Sequence, residues 1–153
     1  MIKTYRKTTT IKAEQFDGSD EMVDKYELID AGTILGTHHT ELYLTGSGKV
    51  DVGDWIATGV NGEHWPISDD VFRKTYAELP AIPDYAADWI EECKQENISL
   101  SDMLCSERRP EQIRDWMALT PGTYQFDYAR YQKYQELVAR AWLDGYQVEV
   151  DNV

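Results

Sequence analysis

An α+β fold in two parts is predicted by three observations. The first 80 residues are rich in short β-branched and aromatic runs broken by Asp-Gly, Asn-Gly and Gly-Ser-Gly turns. Beyond them apolar residues recur at helical spacing. Between the two lies Leu79-Pro80-Ala81-Ile82-Pro83, whose prolines discourage continuous helix. We therefore expect a β-rich α+β module over 1–80, a small twisted antiparallel sheet with one or two helices. A helical module of three to four helices is expected over 81–153. A hydrophobic content of 42% in 153 residues is enough to give each part a core.

Residues 4–16 alternate through Thr8, Thr10, Ile11, Ala13, Gln15 and Phe16, which predicts one or two strands ending at Asp17-Gly18. Ser19 is an N-cap residue followed by Asp20 and Glu21, which suit the positive end of a helix dipole. Met22, Val23, Tyr26 and Ile29 then share one face up to Gly32. Short strands are expected at Thr33–Leu35 and Glu41–Thr45, with a turn at Gly46-Ser47-Gly48. A hairpin is expected from Asp54–Thr58 through Gly59-Val60-Asn61-Gly62 to Glu63–Ile67, with Pro66 at an edge. Ser68 is expected to cap a short helix with Asp69 and Asp70 in its first turn and Val71, Phe72 and Tyr76 as its apolar contacts.

In the second part Pro83 suits the start of a helix carrying Ala86, Trp89, Ile90 and Cys93. Ser99 caps a short helix with Leu100, Met103 and Leu104, and Pro110 starts one with Ile113, Trp116 and Met117. The longest helix runs from about Phe126 to Leu143 along Tyr131, Tyr134, Val138, Ala141 and Trp142, with Gly145 as its cap. Tyr146–Val150 alternates as an edge strand would. Cys93 and Cys105 read as buried free thiols.

Charge narrows the function classes. Fifteen Lys and Arg against 28 Asp and Glu give a net charge of −13, which repels nucleic acid and anionic membranes. Divided after Pro80, the parts carry −6 and −7. Residues 1–12 hold Lys3, Arg6, Lys7 and Lys12 without an acid, whereas residues 13–30 hold seven acids against Lys25 alone. No secretory signal or membrane-spanning run is present, so a cytoplasmic location is expected.

No catalytic constellation emerges, and we expect no enzyme, cofactor or metal. His38-His39 are adjacent, so they point apart on a strand, and no ligand spacing accompanies them. Gly46-Ser47-Gly48-Lys49 lacks the spacing of a phosphate loop. Asp69-Asp70 and Glu91-Glu92 are sequence neighbours on helices and splay apart, whereas acid–base pairs converge. The candidate partner-binding residues are Asp17, Asp20, Glu21, Asp24 and Glu27, a carboxylate array, with Trp55, His64 and Trp65 of the hairpin as anchors.

Two stretches carry family resemblances. Val52-Gly53-Asp54-Trp55-Ile56, Gly59-Val60-Asn61-Gly62-Glu63 and Asp70-Val71-Phe72-Arg73-Lys74-Thr75-Tyr76 resemble small phage proteins with a P-G-D-Y-I core. Tyr5-Arg6-Lys7 and Ile11 through Gly18 fit the same group, although Val52 and Trp55 replace the usual proline and tyrosine. Ala87-Asp88-Trp89-Ile90-Glu91 and Ala139 through Tyr146 resemble the C-terminal module of an uncharacterised family in phages and prophages of lactococci and streptococci. The resemblances imply a phage accessory protein and supply no catalytic residues. The expected function is that of an acidic inhibitor that occupies the basic nucleic-acid surface of a host defence protein. A type II CRISPR effector nuclease is the preferred target. The alternative is an adaptor or assembly protein acting through homo-oligomer or virion-protein contacts, and the chain itself is expected as a monomer or small homo-oligomer.

Overall fold

A computed structural model describes residues 1–31, 41–105 and 107–150. The chain divides into two compact units, Met1–Ala77 and Glu78–Val153. The architecture is α+β, with antiparallel sheets in the first unit and helices dominating the second. No helix among the described residues is long and apolar enough to cross a membrane. The predicted strand at Thr33–Leu35 and the pair His38-His39 lie outside the described residues.

The first unit holds two three-stranded antiparallel sheets. In one, β1 (Lys12–Gln15) and β6 (His64–Ile67) flank β5 (Trp55–Thr58). In the other, β3 (Leu42–Leu44) lies between β2 (Ile29–Asp30) and β4 (Gly48–Val50). Their shared core is Phe16, Met22, Leu28, Leu42, Leu44, Val50 and Ile56. Pro66 sits opposite Ile56 on β6, an edge strand, where its missing N–H breaks no central ladder. The Ser47 hydroxyl donates to the His64 carbonyl at 2.7 Å and fastens the β3–β4 turn to β6.

Several expectations require correction here. Only Lys12–Gln15 of the N-terminal alternating stretch is a strand. Helix α1 (Asp20–Lys25) keeps the Ser19 cap, which accepts from the Met22 N–H, but it stops seven residues before Gly32. Glu27 adopts a left-handed φ of 52°, turning the chain so that Leu28 is buried and Ile29, 54% exposed, opens β2. In the hairpin Gly62 rather than Asn61 takes the positive φ, closing a Gly59–Gly62 turn at 3.1 Å. Ser68 precedes α2 (Asp69–Thr75) but makes no side-chain cap bond, and Val71 is exposed. Phe72 does the packing of α2 by stacking on Trp55 at 4.0 Å.

The second unit contains α3 (Asp84–Gln95), α4 (Leu100–Cys105), α5 (Glu111–Ala118) and α6 (Tyr128–Asp144). Pro83 occupies the cap position of α3 rather than its first turn, and Ser99 caps α4 by accepting from the Asp102 N–H at 3.2 Å. Ala86, Trp89, Ile90 and Cys93 are buried on α3 as the spacing predicts, against Met103, Ile113, Met117, Val138 and Ala141. Trp116 and Trp142 are half-buried against that core. Cys105 is exposed, contrary to expectation, because Met103 supplies the inward position of the short α4. The proline-flanked stretch is also more than a linker. Ala81–Ile82 forms β7, paired in parallel with β8 (Gln147–Val148) through Gln147 N–H to the Pro80 carbonyl and Glu149 N–H to the Ile82 carbonyl.

Candidate functional site

The acidic face is built by α1. At 100° per residue, Met22 and Tyr26 point to one side of this short helix. Asp20, Glu21 and Asp24 fall within an arc of roughly 100° on the other. Met22 is buried and Tyr26 half-buried, whereas Asp20, Glu21, Asp24 and Glu27 are exposed and form no ion pair among the described residues. Asp17 is exposed as well, but the Ser19 hydroxyl and backbone N–H hydrogen-bond to its carboxylate and hold it below the usual range. The helix's one base does not neutralise this array. Lys25 turns instead to Glu14 on β1.

That choice by Lys25 creates a cluster that residue spacing did not signal. Glu14 accepts from both the Lys25 ammonium and the Tyr26 hydroxyl. Its carboxyl is therefore held below the ordinary range, first by Lys25 and then by Tyr26. Burial, and then the Glu14 carboxylate, push the Tyr26 phenol upward. His64 meets the edge of Tyr26 at 5.1 Å and 87°, with its Nδ1 2.9 Å from the Thr58 hydroxyl. A cleft of about 390 Å³ opens over Glu14, Lys25, Tyr26, Thr58 and His64.

The hairpin residues do not share one surface. Successive strand residues face opposite sides of a sheet, so His64 and Trp65 diverge, and the β5–β6 register puts Trp65 on the side of Trp55. His64 therefore belongs with α1. Trp55 and Trp65 occupy the face toward α2, where Trp55 is already stacked on Phe72 and donates its indole N–H to Asp69 at 2.9 Å. That bond and the Arg73 guanidinium hold the Asp69 carboxyl below its ordinary range.

The remaining motifs are tied into local structure. Asp69 is engaged by Trp55 and Arg73, while Asp70 pairs with Lys74, so the two carboxylates serve different partners. Glu91 accepts from the Tyr146 hydroxyl at 2.9 Å. Lys49 of the glycine turn pairs with Asp51 at 3.6 Å. Among the described residues no three His, Cys, Asp or Glu side chains gather as metal ligands would.

Comparison with known proteins separates the two units. No curated protein and no solved structure matches the chain. Residues 77–151, essentially the whole second unit, match the family described as protein of unknown function (DUF1642). The match coincides with the half in which Ala87–Glu91 and Ala139–Tyr146 carry the second resemblance, and the acidic face of α1 lies outside it.

Proposed function

We propose that the chain acts by binding, and that the acidic face of α1 docks on a basic, nucleic-acid-handling surface of a protein partner. The observation that carries this reading is the placement of Lys25. A helix with Asp20, Glu21 and Asp24 on its solvent side commits its lysine to Glu14, below that side, and so leaves the carboxylates uncompensated. Carboxylates presented together attract the surface that phosphates would otherwise occupy. The finer reading places the chain among phage accessory proteins, as a host-defence inhibitor whose preferred target is a type II CRISPR effector nuclease. The motif resemblances and the acidity support that assignment.

The test combines the purified chain with such a nuclease and reads binding and DNA cleavage at low and at physiological salt. Binding is expected to weaken steeply with salt, and cleavage to fall as the complex forms. The triple variant Asp20→Asn, Glu21→Gln, Asp24→Asn is expected to bind about tenfold more weakly, at roughly 0.5 kcal/mol for each exposed pair. Absence of a basic partner, or inhibition indifferent to salt and to the triple variant, overturns the reading. Light scattering that shows a stable homo-oligomer burying α1 would favour the assembly role instead.

A further inference from the structure

The second unit carries exposed aromatic residues where α5 gives way to α6, one of which, Phe126, leans on Tyr131 with ring centroids 5.6 Å apart. Tyr124, Phe126 and Tyr128 are 99%, 60% and 68% exposed. Tyr124 and Phe126 lie two residues apart in the stretch leading into α6, and Tyr128 opens that helix. This stretch is held firmly. A bridge joins Leu119 to Phe126, the Thr120 N–H donates to Gln125 at 3.0 Å, and the Asp127 N–H donates to Ala118 at 2.7 Å. The Thr123 hydroxyl adds a bond to the Thr120 carbonyl at 2.8 Å. A backbone fixed in advance loses little freedom on binding, which helps exposed aromatic side chains serve as anchors.

Beside this stretch opens a cleft of about 290 Å³ whose lining includes Tyr85, Asp115, Trp116, Tyr124 and Arg130. Tyr85 and Trp116 stand edge to face at 6.2 Å and 89°, giving two nearly perpendicular aromatic walls. Arg130 is already committed, since its Nε donates to the Trp116 carbonyl at 2.8 Å and its guanidinium lies 4.3 Å over Tyr134. Asp115 is exposed, and no cation among the described residues pairs with it. A carboxylate beside perpendicular aromatic walls is suited to a cation. The unit's 15 acids against 7 bases add long-range attraction of the same sign.

We propose that the second unit is a protein-docking module that seats a Lys or Arg side chain of an extended partner segment against Tyr85, Trp116 and Asp115. Tyr124, Phe126 and Tyr128 pack along that segment. The module rests on residues remote in sequence from the α1 face, so failure of either proposal leaves the other standing. The test titrates the full chain with a hexalysine peptide at about 0.15 M salt and follows amide and indole resonances. Shifts are expected to centre on Asp115, Trp116 and Tyr124. Asp115→Asn and Tyr124→Ala are each expected to weaken binding about twofold to fivefold, with melting temperature unchanged because both side chains are exposed. Shifts confined to α1, equal binding by both variants, or equal binding of a hexaglutamate peptide would each overturn the proposal.

Discussion

Ile90→Ala probes the core on which the second unit depends. Ile90 is 0% exposed in the middle of α3, in a cluster with Cys93, Met103, Ile113, Met117, Val138 and Ala141 drawn from four helices. Truncation removes three carbons from this enclosed site. The neighbours cannot easily close the gap, because α5 is tied to the start of α6 by the Asp127–Ala118 hydrogen bond and the Leu119–Phe126 bridge. The expected loss is therefore about 3 kcal/mol, near the middle of the range for Ile→Ala in cores. Ile90→Val, which removes one methyl, is expected to cost about 1 kcal/mol. Urea unfolding followed by tryptophan fluorescence measures both, with Trp89 and Trp116 reporting on this core. At a slope of roughly 1.5 kcal/mol per molar the Ala variant lowers the midpoint by about 2 M without changing the slope. Equal midpoints for the Ala and Val variants would refute a locked side chain at this position.

Three further outcomes are expected. Ser19→Ala removes the acceptor of the Met22 N–H and should cost the first unit about 1 kcal/mol, seen as a melting point roughly 4–8 °C lower and faster exchange of the Met22 amide; an unchanged melt would deny the cap a role. Thiol titration should find Cys105 reacting at once and Cys93, whose thiol burial pushes up to about 11, reacting only on unfolding; two fast thiols in the native protein would contradict this burial. Acid should weaken the first unit through Glu14, Asp69 and Asp17, each held below its ordinary value. Carboxyls of lowered pKa contribute stability above the unfolded pKa and lose it as pH falls through the folded one. The loss therefore begins near pH 4 and grows below it, and carboxyl resonances followed through the titration check it, with Tyr26→Phe expected to move Glu14 back upward.

What was legible in the sequence was local. Ser19 announced a helix through its own side chain, and Ala86, Trp89, Ile90 and Cys93 announced their burial through spacing, because both signals act within a turn or two. The end of α1 was hidden, since a left-handed Glu27 has none of the preference that marks a glycine there, and Ile29 happened to continue the helical period. Strand β7 was hidden for a different reason. Its partner β8 lies more than sixty residues away in parallel, and its flanking prolines imitate a linker. The Glu14, Tyr26 and His64 cluster drew on a strand, a helix end and a hairpin, so no spacing pattern tied the three together. Phe126 was recognisable as aromatic, but its exposure depends on how the chain between α5 and α6 is pinned.

The bases also explain why a basic partner suits both proposed surfaces. In the first unit Lys25, Arg73 and Lys74 meet carboxylates, so charge cancels around Glu14, Asp69 and Asp70 and remains on the outward side of α1. In the second unit Lys94 donates to the Trp142 carbonyl at 3.1 Å and lies 5.1 Å over its ring, while Arg130 is held by a carbonyl and a ring in the same way. Both cations direct their hydrogen bonds to carbonyls and lie over rings, and neither forms an ion pair among the described residues. At α1 and at the aromatic cleft an incoming Lys or Arg therefore meets exposed carboxylates, Asp20, Glu21, Asp24 and Asp115, that form no ion pair among the described residues.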